Sequence, residues 1–159
     1  MSSPLSLVVF DLDFTLWDCG GLWVDCTRPP YRRDAEARIL DSAQRVMRRY
    51  SDVPEILDEL EALGCPMALA SRTEQPAWAR ELLDLMDYRH RFDYEEIFPS
   101  SKLVHFSNLK RDSGFPYSEM LFFDDEYRNI AEVGALGVNC IEIRRGLDRE
   151  AFEQGLALF

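Results

Sequence analysis

Residues 5–18 read LSLVVFDLDFTLWD, an apolar run that ends in two carboxylates one residue apart. Leu5, Leu7, Val8, Val9 and Phe10 have the pattern of a buried strand, unbroken by polar residues after Ser6. Asp11 and Asp13 then follow, two like charges that repel each other and resist burial. A chain that needed only a turn there could have used Asn-Gly. Something elsewhere in the sequence must neutralise the pair.

Downstream, strand and helix patterns alternate. SDVPEILDELEALG reads as an amphipathic helix, with Ser51 or Asp52 as cap, Pro54 near its first turn and Gly64 as its stop. PMALAS is a short buried strand and EQPAWARELLDLMD a second helix. EEIFP is a third strand, and SKLVHFSNLKRDSG a helix closed by Gly114. EMLFFDDE, EYRNIAEVGALG, VNCIEI and DREAFEQGLALF complete the alternation as strand, helix, strand and helix. The expected fold is α/β: a doubly wound, Rossmann-like parallel sheet with helices on both faces. The chain is expected to form one domain over 1–159, with a short flap or hairpin insertion at about 19–50 and no large cap domain.

In such sheets ligands sit beyond the carboxyl ends of the strands. The polar groups placed there are Asp11 and Asp13, then Ser71 and Arg72, then Asp124 and Asp125, with Lys102 close behind EEIFPS. Three or more carboxylates at one rim need a cation, or some must hold protons. An all-oxygen ligand set favours a hard ion, and Mg²⁺ binds one or two carboxylates together with waters and substrate phosphate. Ser71 offers a hydroxyl, Lys102 an ammonium, and the first loop, including Leu12, its backbone N–H groups. Together these make a phosphate clamp facing a metal. One carboxylate can then serve as nucleophile and a second as proton donor.

The motifs carry a resemblance. DLDFTLW resembles the first motif of the haloacid-dehalogenase superfamily, ASRT the second, SSK its lysine motif and FFDDEYRN its acidic fourth, in order and over nearly the whole chain. The flanking FDLDFTLW, WVD, RPPY, ASRT, FFDDE and LGV resemble the capless magnesium-dependent phosphatase family. A lone Asp-x-Asp is a weak signal, but four ordered motifs are a strong one. The resemblance implies that Asp11 is the nucleophile and a metal ligand. It implies that Asp13 is the general acid and then base, touching the metal through its carbonyl. Ser71 would bind the transferring phosphoryl group, with the Leu12 backbone, and Lys102 would stabilise charge on both Asp11 and phosphate. Asp125 aligns with the metal-binding Asp of the superfamily, with Asp124 as the second choice. Asn129 stands where many relatives carry another acid, which leaves the outer shell of the metal open. Thr15 would fix the first loop.

Composition narrows the partners. The chain carries 18 basic and 29 acidic residues, a net charge of -11, which argues against nucleic-acid binding. A few cations in a cleft can still attract a phosphorylated small molecule. No apolar run approaches the length of a membrane span, and MSSPLSLVVFDL lacks the features of a signal peptide. The four cysteines are scattered, which points to reduced thiols in the cytoplasm rather than a disulfide or zinc framework. The acidic surface and single domain favour a monomer.

The insertion is rich in arginine, and RILDSAQRVMRRY reads as a hairpin turning near Asp41 and Ser42. It is either a solvated flap or an electropositive lip. Trp17 and Trp23 fall at core or rim; the resemblance places Trp23 near the substrate, whereas Trp78 fits helix packing. Arg72 either contacts substrate or makes a structural ion pair. His90 and His105 read as surface or packing residues. CTRPPYR has the Cys-x5-Arg spacing of thiol-based phosphatases at Cys26 and Arg32, but Pro29 and Pro30 have no N–H to offer phosphate, so the match is rejected.

The leading reading is a Mg²⁺-dependent phosphomonoesterase that works through an aspartyl-phosphate. Without a lid its site suits protruding esters, and the resemblance implies phosphotyrosine and sugar phosphates. A phospho-accepting receiver module uses similar parts, but there the acidic pair comes first and the lone Asp later. A dehalogenase is the third reading, disfavoured by the acid at Asp13.

Overall fold

The computed structural model describes residues 3–159. Its centre is β1 (Leu7–Phe10), each residue of which is fully buried. Four further strands flank it: β6 (Met67–Ser71), β7 (Tyr94–Ile97), β8 (Met120–Asp124) and β9 (Asn139–Glu142). The order is β7-β6-β1-β8-β9 and every pairing is parallel. A strand buried on both faces can be apolar throughout, which is why LVVF lacks alternation.

The two faces are covered by α1 (Val53–Ala62), α2 (Pro76–Leu85), α3 (Lys102–Ser113), α4 (Tyr127–Gly134) and α5 (Arg149–Leu156). Val8, Phe10, Leu69 and Phe123 point to the side where Ile56, Leu57 and Leu60 of α1, Leu82 and Leu83 of α2, and Phe152 of α5 pack. Leu7, Val9, Ala68 and Phe122 point to the other side, against Phe106 and Leu109 of α3 and Val133 of α4. The alternate side chains of one strand therefore serve two cores. Among the described residues there is no cap domain.

One helix start differs from expectation. Asp52 holds the N-cap position of α1 but makes no capping bond. Its Oδ2 instead accepts the N–H of Arg149 at 3.0 Å, joining the starts of α1 and α5. At α3 the cap is made as the sequence suggests, by Ser101 accepting from Leu103 N, with Gly114 left-handed at the far end.

Between β1 and α1 the chain builds two small antiparallel ladders. One pairs β2 (Trp17–Asp18) with β5 (Arg48–Arg49), and the other pairs β3 (Arg32–Arg33) with β4 (Ile39–Leu40). Asp41, fully buried, makes the turn by accepting the N–H groups of Ala43, Arg45 and Arg28. The arginines of this segment are largely engaged. Arg38 pairs with Asp34, Arg45 with Asp41 and Arg48 with Asp18, while Arg33 and Arg49 reach the carbonyls of Leu85 and Met86.

Candidate active site

The chain leaves β1 for one edge of the sheet through β6 and β7, then crosses to β8 and β9 on the other side. The crevice at this reversal, beyond the strand C-termini, is where a doubly wound sheet binds ligands. Asp11 follows β1, Ser71 ends β6, Lys102 opens α3 after β7, and Asp124 ends β8. The sheet brings all four to one end.

Lys102 is the hub. Its side chain is 1% exposed, with Nζ 3.1 Å from Asp11 Oδ1 and 3.2 Å from Asp124 Oδ2, and it also donates to the Ala70 carbonyl. Burial alone would strip its proton, but the two carboxylates reverse this and its pKa is raised. Asp11, Asp124 and Asp125 each bring one oxygen within 4.8 Å of the other two. At an effective dielectric of about 20, each like-charged pair at this separation repels by about 3–4 kcal/mol. Burial first, and then the neighbouring carboxylate of Asp11, hold Asp124 and Asp125 above the usual carboxylate range. One lysine does not balance three acids. The donors are all oxygen and converge on one point, which fits a hard divalent ion.

Asp13 is held differently. Its Oδ1 accepts both the Trp17 indole N–H and the Val24 backbone N–H, each at 2.8 Å. Both bonds fall on one oxygen, which leaves Oδ2 outside this bonding. Burial raises the pKa to about 7 even though these bonds favour the charged form, and Asp11 adds to the rise. A carboxyl near neutrality can give and take a proton.

The turn between Asp11 and Trp17 is sharp. Phe14 is left-handed at φ 61°, the Phe14 N–H reaches the Trp17 carbonyl at 2.7 Å, and the Leu12 carbonyl accepts from Thr15 and Leu16. The Leu12 N–H finds no acceptor among the described residues. The buried hydroxyl of Thr15 is unpartnered among the described residues. Its backbone fixes the loop instead, its N–H donating to Leu12 O and its carbonyl accepting from Leu147 N.

Asp11, Asp13, Ser71, Lys102 and Asp125 line a cleft of about 770 Å³ that also includes Trp23, Arg72 and Asn129. Ser71 Oγ accepts from Thr73 N at 3.3 Å, so its own proton remains to be donated. Arg72 makes no ion pair among the described residues; it donates to Asn129 Oδ1 at 3.2 Å, while Asn129 Nδ2 donates to Asp124 Oδ2 at 3.0 Å. Trp23 is 53% exposed at the rim, whereas Trp17 is buried and Trp78 packs on the core. Cys26 lies at the cleft, but Arg32 pairs with Gln44 and not with a phosphate loop. His90 is exposed, and His105 is buried behind Lys102.

Sequence reasoning left four participants unassigned: the indole of Trp17, the N–H of Val24, and the side chains of Asp25 and Thr73. The last two stand inside WVD and ASRT, so their motif positions were visible, but their partnership joins segments 48 residues apart.

A parallel α/β domain with Asp-x-Asp after its central strand, facing a buried lysine and a second acidic pair, has the arrangement of the phosphohydrolases that use an aspartate as nucleophile. The N-terminal part of a Bacteroides fragilis protein, a phosphatase domain solved in complex with Mg, shares the fold with a TM-score of 0.65. It is 16% identical, over 98% of this chain and 40% of that one. Magnesium-dependent phosphatase 1 of Homo sapiens is 44% identical over 154 residues, 96% of this chain and 86% of the relative. A HAD-like hydrolase superfamily protein of Schizosaccharomyces pombe is 39% identical over 148 residues, 85% of this chain and 83% of the relative. The acid phosphatase family profile matches residues 4–159. The chain belongs to the acid phosphatase family of the haloacid-dehalogenase superfamily.

Proposed function

We propose that this protein is a Mg²⁺-dependent phosphomonoesterase that passes the phosphoryl group through Asp11 and acts on protruding esters, phosphotyrosine and sugar phosphates. One observation carries the reading: Asp11, Asp124 and Asp125 converge within 4.8 Å beside a buried lysine. Asp11, Asp124 and Asp125 would hold the Mg²⁺, with the Asp13 carbonyl. The bound ion supplies positive charge that polarises the phosphoryl oxygens.

Asp11 attacks phosphorus through a carboxylate oxygen while the bond from phosphorus to the ester oxygen breaks. Asp13 gives its proton to that leaving oxygen, and an aspartyl-phosphate remains. Asp13, now a carboxylate, takes a proton from water as the water oxygen attacks phosphorus. The bond from phosphorus to Asp11 breaks, inorganic phosphate leaves, and both carboxyl groups regain their starting states. Ser71 and the Leu12 N–H donate to the phosphoryl oxygens, and Lys102 offsets charge on Asp11 and on the phosphoryl group. Arg72, held by Asn129, faces the cleft on the substrate side.

Without a cap the alcohol half of the ester is free to project past Trp23, whose exposed ring can stack on a phenol or a sugar face. The site is complete within one chain, in keeping with a monomer, and no helix among the described residues is long and apolar enough to cross a membrane. The test is turnover of phosphotyrosine peptides and phosphosugars with and without Mg²⁺, by the wild type and Asp11→Asn. Mg²⁺-dependent release of phosphate that Asp11→Asn abolishes is the expected result. Turnover that survives either the substitution or chelation would overturn the reading.

A further inference from the structure

Asp25 lies in a 3₁₀ turn over Val24–Cys26, in the segment between β1 and α1, and no step described so far uses it. Its carboxylate accepts from Thr73 Oγ1 at 2.5 Å and from the Glu74 N–H at 3.0 Å, both just past the end of β6. Each end of this bridge sits next to a group of the reaction. On one side, the Val24 N–H, one residue before Asp25, holds Asp13 Oδ1 at 2.8 Å. On the other, the Thr73 N–H donates to Ser71 Oγ at 3.3 Å. Thr73 itself is 5% exposed, so its hydroxyl is fixed rather than roaming.

From this arrangement we infer that Asp25 and Thr73 form a latch that sets the proton-transfer group, Asp13, and the phosphate-binding group, Ser71, in register with each other. The inference rests on the phosphatase reading and assigns both residues, which line the cleft, as positioning residues, since their polar atoms are bonded to each other and to neighbouring backbone. The reason for a latch is topological. Asp13 depends on donors from a segment whose only strands are two-residue ladders and whose Val24 lies in a 3₁₀ turn, whereas Ser71 ends an inner strand of the main sheet. With no cap domain among the described residues, no such element closes over the substrate to align the two. A carboxylate with one short and one ordinary bond across that seam supplies the alignment in the free enzyme.

A merely structural role has its own support. Thr73 Oγ1 also accepts from Gln75 N at 3.0 Å, at the start of α2, so loss of the hydroxyl would weaken that helix start as well. The experiment must separate alignment from stability. Asp25→Asn, Thr73→Val, Thr73→Ser and the Asp25→Asn/Thr73→Val pair are assayed at saturating Mg²⁺ on p-nitrophenyl phosphate and on phenyl phosphate. Nitrophenolate leaves with little help, whereas phenolate needs the proton that Asp13 gives. The ratio of the two kcat values is taken within each sample, so a partly unfolded fraction cancels.

If the latch operates, Asp25→Asn and Thr73→Val each lower kcat on phenyl phosphate by about tenfold and change the nitrophenyl rate much less. The double variant is then no worse than the poorer single one, because the bond is already gone. Thr73→Ser, which keeps the hydroxyl, restores the wild-type ratio. Equal losses on both esters, or losses that multiply in the double variant, would overturn the inference while leaving the phosphatase reading intact. A wild type inactive on both esters would instead overturn the phosphatase reading.

Discussion

Lys102 Nζ lies 3.1 Å from Asp11 Oδ1, although the two residues are 91 positions apart in the chain. Phe122 lies beneath the ammonium at 5.3 Å and Asp124 flanks it, so the lysine is walled in by one ring and two acids. Such a group neutralises buried charge and stabilises the phosphoryl group with one atom. Lys102→Met should therefore fail in two separable ways. Activity should fall by at least about 100-fold, and stability in EDTA should drop by about 3–5 kcal/mol as the acids lose their partner. Lys102→Arg should not rescue either, since a planar guanidinium does not fit a fully buried ammonium site. Phosphate release and urea melts of the three proteins check this.

Asp125 offers the opposite trade. Its carboxylate stands beside Asp11 and Asp124 with too little positive charge among them, so removing it should relieve repulsion. Asp125→Asn should be more stable than wild type by about 1–2 kcal/mol in EDTA, yet inactive. With saturating Mg²⁺ the order should reverse, because only the wild type gains from binding the ion. Thermal melts of both proteins with EDTA and with Mg²⁺ decide it, and a variant less stable than wild type in EDTA would be the contrary outcome.

How far the sequence reached depends on the range of each contact. The five parallel strands and five helices were legible because local signals agreed: LVVF for a strand buried on both faces, Pro54 and Gly64 around α1, Ser101 and Gly114 around α3. Asp11, Ser71, Lys102 and the Asp124–Asp125 pair were legible as a site because strand ends in one parallel sheet share an edge. What escaped was set by side chains choosing distant partners. Asp52 looks like a cap, but it binds the N–H of Arg149. Trp17 reads as either core or rim; it is buried, and its indole N–H holds Asp13. The two-residue strands between β1 and α1 are too short for any periodicity to register.

Gly146 marks a close approach that sequence alone does not reveal. It is left-handed at φ 79°, and a Cβ there would overlap the Tyr50 ring, where the chain enters α1. Gly146→Ala should cost about 2–4 kcal/mol, from the backbone conformation and from the clash together. Adding Tyr50→Ala should recover the part due to the clash, so the two substitutions should be less than additive in urea denaturation. Strict additivity would show that the ring simply moves aside.

His105 gives the fold a sensitivity to acid. Its Nε2 meets the Phe98 carbonyl at 3.0 Å, which assigns the proton to Nε2 in the neutral ring and leaves Nδ1 as a buried acceptor with no partner among the described residues. Burial, and then the Lys102 charge, push its pKa from an ordinary 6.5 down to about 4, against a smaller opposing effect of the Phe98 carbonyl. Between those values the unfolded chain binds a proton that the folded one refuses, so stability falls as pH drops from about 6.5 towards 4. From pH 7 to pH 5 this single group should remove about 2 kcal/mol. His105→Gln keeps a donor for Phe98 and cannot be protonated, so its stability should lose that much less over the same interval. The difference between wild type and variant, read by urea denaturation at pH 7 and pH 5, isolates His105 from the carboxylates that titrate in the same range. A difference that does not change with pH would mean that the imidazole accepts its proton in the folded protein as readily as in the unfolded chain.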